Sequence, residues 1–400
     1  MRKASFPDLL AHWRPLLISG GGLLAIGMLL CLRLGTLLGG YAPQEFEALQ
    51  NGRSFLYIFH HPINAPFTIM VRLLLFVTKH HQLLAVRLAA TICGAATLLV
   101  FFLLVRHWHG LRTAFFGTVL FASAPWFLHV ARLGTPDVML FGALALVAWG
   151  TWLKQTGNPL VLLAGFMLAT GLLYVPGMLW IVAAGVLWQW KTIDRVFQKN
   201  LWAVTLGGLV FLAALIPLGL AIYHAPALAK VVAGLPAQGW PQILPSLHRL
   251  ADVPFWLFVH GPADPLHWLG RLAVLDAFAM AMAALGVYLY TRHIGLTRAR
   301  ILLTMLALGA ALLSLGGQVS LTLIVPFVYL LAAAGVGFLL DRWYLVFPRN
   351  TIAQSVGIGL ISLAVLASCW YGISHYFVAW PGAPETKATF TVPPSVTIEQ

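Results

Sequence analysis

The stretch Leu83-Leu-Ala-Val-Arg87-Leu-Ala-Ala-Thr-Ile-Cys93-Gly-Ala-Ala-Thr-Leu-Leu-Val-Phe-Phe-Leu-Leu-Val105 decides the fold class. It is apolar on every helical face, so no side is left for water. Its length suits a helix crossing about 30 Å of hydrocarbon. A single charge, Arg87, sits one turn in from one end, and Arg106 closes the other. A lone run of this kind could be the buried helix of a large soluble protein. The rest of the chain excludes that. Of 400 residues, 60% are apolar and only 9% charged, and mean hydropathy is +0.88. Ordinary soluble domains carry roughly 25% charged residues. So few charges could not cover so much apolar surface in water. Helices satisfy their own backbone polar groups in lipid, which leaves an all-α polytopic membrane protein.

Working outward from 83–105, comparable helices are predicted at 15–37, 113–131, 137–153, 159–174, 175–190, 201–223, 269–290, 300–315, 319–340 and 352–372, about eleven in all. The division at 174–175 rests on Tyr174-Val-Pro176-Gly177, where Pro and Gly break a helix. Residues 1–380 read as one transmembrane domain and 381–400 as a flexible outer tail. The basic, then apolar, N-terminus reads as a retained first helix.

Charge sets the orientation. With the N-terminus inside and the C-terminus outside, the inner side receives fourteen Lys/Arg and three acids, the outer side ten and eight. That is the positive-inside pattern. It accounts for the formal charge of +13 without nucleic acid as a partner and suits contact with anionic membrane lipids. Two long outer segments follow, 39–82 and 224–267. Pro66-Phe-Thr-Ile-Met-Val-Arg72-Leu-Leu-Leu-Phe76 reads as an interfacial helix. Trp240, Trp256 and Trp268 read as interface anchors. Cys31, Cys93 and Cys369 lie in or beside apolar runs and read as core residues.

Acids are scarce, so their positions carry the functional reading. Glu45 and Glu47 follow the first helix, and Asp137 sits in Arg132-Leu-Gly-Thr135-Pro136-Asp137, at the outer tip of a hairpin. A carboxylate there could take a proton from a hydroxyl. Each has a plainer reading: a solvated loop for the glutamates, and a capped helix start for Thr135-Pro136-Asp137. Arg132 and Arg87 read either as snorkelling residues or as phosphate contacts. His60-His61 and His80-His81 lack the i,i+4 spacing of a helical metal site; no metal and no cofactor is assigned.

The order of features resembles a family. Asn51-Gly52-Arg53 is followed by His61-Pro62-Ile-Asn64-Ala-Pro66, Arg87-Leu-Ala-Ala, Arg106-His-Trp-His-Gly110, Ser123-Ala-Pro125-Trp126 and Arg132-Leu-Gly134-Thr-Pro-Asp137. Over residues 10–190 this is similar to the GT-C membrane glycosyltransferases of the protein-mannosyltransferase, aminoarabinose-transferase and Rgt-like type. A later run, Ser320-Leu-Thr-Leu-Ile-Val-Pro326, resembles the family's late Pro-containing helix. The resemblance implies a bundle with interfacial helices in its outer loops. It also implies transfer of a sugar from a polyprenyl-phosphate donor to an acceptor hydroxyl, as part of cell-envelope chemistry at a bacterial inner membrane. It assigns catalysis to Glu45 or Glu47 with Asp137 in support, the donor phosphate to Arg132 and Arg87, and the substrate loop to Gln44, His61 and Asn64. The family's first loop carries Asp-Glu, where this chain has Gln44-Glu45. The competing readings are a transporter or lipid flippase, for which Asp276 is the ionisable candidate, and a non-catalytic relative acting as a membrane partner.

Orientation is open to a direct check. With the three native cysteines replaced by Ser, Gln242→Cys is expected to react with an impermeant maleimide in intact cells. Lys199→Cys is expected to react only after permeabilisation.

Overall fold

The computed structural model describes residues 21–391, apart from 23, 39, 79–80, 264–265 and 267–270. Most of the first predicted helix lies outside the described residues. Its end is α1 (residues 24–31), followed by turns to Leu38. Three short helices come next: α2 (Pro43–Asn51), α3 (Phe55–His60) and α4 (Ala65–Thr78). The long α5 (Gln82–His109) contains the run that decided the fold class.

The predicted helix 113–131 is two helices. α6 (Leu111–Ala122) and α7 (Pro125–Arg132) meet at 67°. Pro125 cannot extend a ladder from the preceding turn, and Ala124 adopts the extended backbone that a residue before Pro prefers. A 3₁₀ turn, Pro136–Phe141, then leads straight into α8 (Gly142–Thr156). The break at Tyr174–Gly177 stands where Pro176 and Gly177 predict it, between α9 (Pro159–Leu173) and α10 (Met178–Lys199), with Gly177 at φ 78°.

Beyond it lie α11 (Leu201–His224), α12 (Ala227–Val232), α13 (Ile243–Phe258), α14 (Ala277–Arg292) and α15 (Thr297–Ser314). A second 3₁₀ turn, Leu321–Leu323, precedes α16 (Val325–Val346). α17 (Thr351–Ser374) continues through a π-turn to Gly382 and is followed by α18 (Pro384–Thr389). Within the tail expected from 381 onward, Thr386 is buried and Phe390 meets the edge of Trp380 at 5.8 Å.

Among the described residues there is no strand, only isolated bridges such as that of His260 with Leu272. Among the described residues, six helices are long and apolar enough to cross a membrane, or seven if α6 and α7 form one bent span. This is an integral membrane protein, and the count of about eleven spans is not confirmed. α4, α9 and α14 are apolar but shorter than a membrane-crossing helix.

α16 is the axis of the bundle, with 89% of its most apolar window buried, whereas α11 buries only 11% and turns its apolar faces outward. Lipid tails are as apolar as leucine, so packing between such helices depends on close backbone approach. α14 and α16 achieve it reciprocally. A Cβ on Gly286 would run into the Leu331 carbonyl, and one on Gly335 into the Met282 carbonyl. Gly335→Ala is expected to cost about 1–3 kcal/mol through overpacking, read as a lower melting temperature in lipid nanodiscs.

Candidate functional site

Glu45 is fully buried in the first turn of α2. Its position three residues after the helix-start residue lets its Oε2 accept from the Ala42 N–H at 3.0 Å. Arg87, inside α5, donates to the same carboxylate twice, from Nε to Oε1 at 2.9 Å and from Nη2 to Oε2 at 3.0 Å. The Gly134 N–H adds a fourth donor to Oε1 at 2.9 Å. Gly134 is required there by space, because a Cβ would collide with Val86 on α5. The remaining Arg87 donors reach Leu34 O at 3.1 Å and Gly40 O at 3.0 Å. Burial, with some help from the carboxylate next to it, pushes the nearby Tyr41 phenol up to about 12.

In this arrangement Glu45 and Arg87, expected at the catalytic and phosphate positions, are both engaged within the protein. A carboxylate has about four lone-pair positions, and all four of Glu45's are taken. It has no free oxygen for a substrate proton and no exposure to a substrate. Arg87 is likewise occupied, with a bidentate partner and two carbonyls, and is not placed to hold a phosphate. Arg132, also expected at the donor phosphate, is engaged as well. Its guanidinium donates to Leu29 O at 2.7 Å, Leu30 O at 3.0 Å and Leu32 O at 2.6 Å, the carbonyls at the end of α1. It is 3% exposed and lies over the rings of Tyr376 and Phe377. A helix C-terminus leaves carbonyls without partners and carries partial negative charge, so a buried Arg fits there.

Beside this frame is a cavity of about 750 Å³. Gln44, Glu47, His61, Asn64 and Asp137 all line it. Glu47 is exposed and has no hydrogen bond or ion pair among the described residues. Asp137 is half-buried in the first 3₁₀ turn. Asn64 turns the chain between α3 and α4 with φ 59°, a left-handed conformation that Asn tolerates, and its N–H donates to Tyr174 O at 2.8 Å. The His61 ring stacks on Tyr57 at 4.2 Å between centroids.

The cavity also contains residues not assigned to it from the sequence: Asn51, Trp126, Trp256, Gln318 and Ser320. Trp126 stands in one of the quoted motifs, which was the available signal. Trp256 lines the cavity, Trp240 is exposed under Lys230, and Trp268 lies outside the described residues. Among the described residues no Lys or Arg lines the cavity. Arg249 of α13 packs near its wall. Its exposed guanidinium occupies the space a Cβ on Gly316 would need, one residue before Gly317 and Gln318 of the wall. A smaller crevice of about 280 Å³, lined almost wholly by apolar side chains, shares its supporting elements: Pro66 of α4, Val138 of the first 3₁₀ turn and Leu172 of α9.

Asp276, the ionisable candidate for a transporter, caps α14. Its Oδ1 accepts from Ala279 N at 2.9 Å, and Oδ2 accepts from Ser368.

These features meet a known sequence pattern. Residues 60–220 match the family model of dolichyl-phosphate-mannose-protein mannosyltransferase. The match supports a GT-C membrane glycosyltransferase. The mannosyltransferase-like stretch covers about two fifths of the chain and includes Asn64, Trp126 and Asp137, while Glu47 precedes it. The crystal structure of ArnT from Cupriavidus metallidurans in the apo state is similar over 96% of this chain and 77% of its own, at 15% identity and a TM-score of 0.49. No curated protein matches the chain by sequence.

The buried ion pair makes a separable prediction. Removing one partner strands the other charge, so Glu45→Ala and Arg87→Ala are each expected to cost about 3–5 kcal/mol. The double variant is expected to lose much less than their sum in a thermal-unfolding cycle.

Proposed function

We propose that this protein is a membrane glycosyltransferase that moves a sugar from a polyprenyl-phosphate carrier to an acceptor hydroxyl at the outer membrane face. The observation that carries the reading is the convergence of Glu47 and Asp137 on one cavity beside a mannosyltransferase-like sequence stretch. In the reaction the acceptor oxygen attacks the anomeric carbon and the bond from that carbon to the phosphate oxygen breaks. The polyprenyl phosphate departs with the bonding pair. It is a stable anion and needs no acid, so one base suffices for the acceptor proton. Glu47 is that base, because its carboxylate lines the cavity without a competing partner. Asp137, on the facing 3₁₀ turn, orients the acceptor.

The donor phosphate needs a cation. With Arg87 and Arg132 occupied, Arg249 takes that role at the cavity edge, where its planar fork could engage two phosphate oxygens. In this reading the first part of the carrier's tail lies in the apolar crevice lined by Pro66 and Leu172. The acceptor class is left to assay. A transporter reading has lost its ionisable candidate, since Asp276 caps a helix.

Glu47→Gln is expected to lower kcat by about 10²–10⁴, the usual contribution of a general base, with the melting temperature unchanged. Arg249→Ala is expected to raise KM for the polyprenyl donor more than it lowers kcat. Turnover of a radiolabelled polyprenyl-phosphate sugar in nanodiscs checks both, and full activity of Glu47→Gln contradicts the assignment.

A further inference from the structure

Two hydroxyls in the cavity wall have no structural task among the described residues. Thr135 immediately precedes the 3₁₀ turn Pro136–Phe141, and Ser320 immediately precedes the turn Leu321–Leu323. A Thr or Ser before a helical turn usually folds its oxygen back onto a backbone N–H two or three residues on. Neither does so here. The expected capping role of Thr135 is therefore absent, although its backbone is extended as a cap requires. Thr135 is 1% exposed, and the oxygens of both Thr135 and Ser320 are buried with no hydrogen-bond partner among the described residues.

Both residues line the same cavity as Glu47, Asp137, Asn64 and Gln318. The two turns pack against each other, and Trp126 Nε1 donates to Thr322 Oγ1 at 3.4 Å in the second turn, fixing the indole beside the same wall. Buried polar groups without partners are rare in folded proteins and point to a partner that is missing. Two such groups, contributed separately by two elements to one wall, suit a ligand that carries several hydroxyls on an apolar ring. A sugar has that chemistry: each hydroxyl both donates and accepts, and its C–H face can lie on Trp126 or Trp256.

We infer that Thr135 and Ser320 hydrogen-bond hydroxyls of the transferred sugar and set which sugar is used. The inference rests on the glycosyltransferase reading for the identity of the ligand. Its physical basis is that a site built to pair a substrate hydroxyl discriminates strongly against the analogue lacking it, because the protein group is then left unpaired.

The test uses the full chain in nanodiscs and a panel of polyprenyl-phosphate hexoses and pentoses, followed by monodeoxy forms of the best-bound member. Dissociation constants and kcat/KM are measured for the parent protein, Thr135→Val and Ser320→Ala. The parent is expected to bind at least one deoxy form tenfold or more weakly. Thr135→Val should weaken the full sugar about tenfold yet leave one deoxy form unaffected, so that their ratio falls to near one. Ser320→Ala should do the same at a different ring position. Melting temperatures should not fall, since neither hydroxyl holds the fold together. The inference is overturned if both variants shift every panel member by the same factor, if neither shifts any, or if no panel member binds. Selective binding without turnover would uphold it while removing the glycosyltransferase reading.

Discussion

The site depends on one buried ion pair. Glu45 and Arg87 join the start of α2 to the interior of α5, and the same carboxylate holds the Gly134 N–H. Three stretches far apart in sequence meet at two oxygens. One of them, the loop through Gly134, leads into the turn that carries Asp137, and another, α2, carries Glu47. The positions of both cavity acids are therefore tied to a carboxylate that is itself buried and fully hydrogen-bonded. Desolvating two charges is expensive, and a buried pair is often no more stabilising than an apolar replacement. Its value here is geometric. A bidentate Arg on a rigid helix fixes the angle at which α2 emerges, which a leucine contact would not.

Arg132 extends the same logic to α1. Its donors are matched to three carbonyls at a helix end, and aromatic rings of the segment after α17 cover it. Glu45 and Arg132 are thus engaged within the protein, while Glu47, two residues after the first, and Asp137, five after the second, line the cavity. That separation lets the frame stay rigid and dry while the cavity stays open to ligand.

Much of this was legible in the sequence. The apolar runs give the helical membrane class, and Pro176-Gly177 places a break correctly. The loops bearing Gln44, Glu47, His61, Asn64 and Asp137 do form one cavity. What could not be read was which of Glu45 and Glu47 lines the cavity. Residues two apart on a helix point to different faces. Which face meets Arg87 depends on how α2 leans on α5, a fact of packing and not of pattern. The roles of Arg87 and Arg132 were hidden for the same reason, since carbonyl partners leave no mark in a sequence. The run 113–131 looked continuous because Ser123-Ala-Pro125 is nearly as apolar as its surroundings, and only backbone geometry makes the bend. Thr135 carried a misleading signal: its residue type and setting suit a cap, yet its hydroxyl is not used as one.

The central claim is that a lipid-linked sugar reacts between Glu47 and Asp137. A cryo-electron microscopy structure of the nanodisc-embedded protein, with a non-transferable polyprenyl-phosphonate sugar bound, tests this most directly. The expected map shows the sugar in the cavity, its anomeric carbon facing the two carboxylates and its phosphonate toward Arg249, with the Glu45–Arg87 pair intact. A lipid headgroup bound at the opposite end of the bundle, or a Glu45 carboxylate freed from Arg87 and turned onto the sugar, would contradict it.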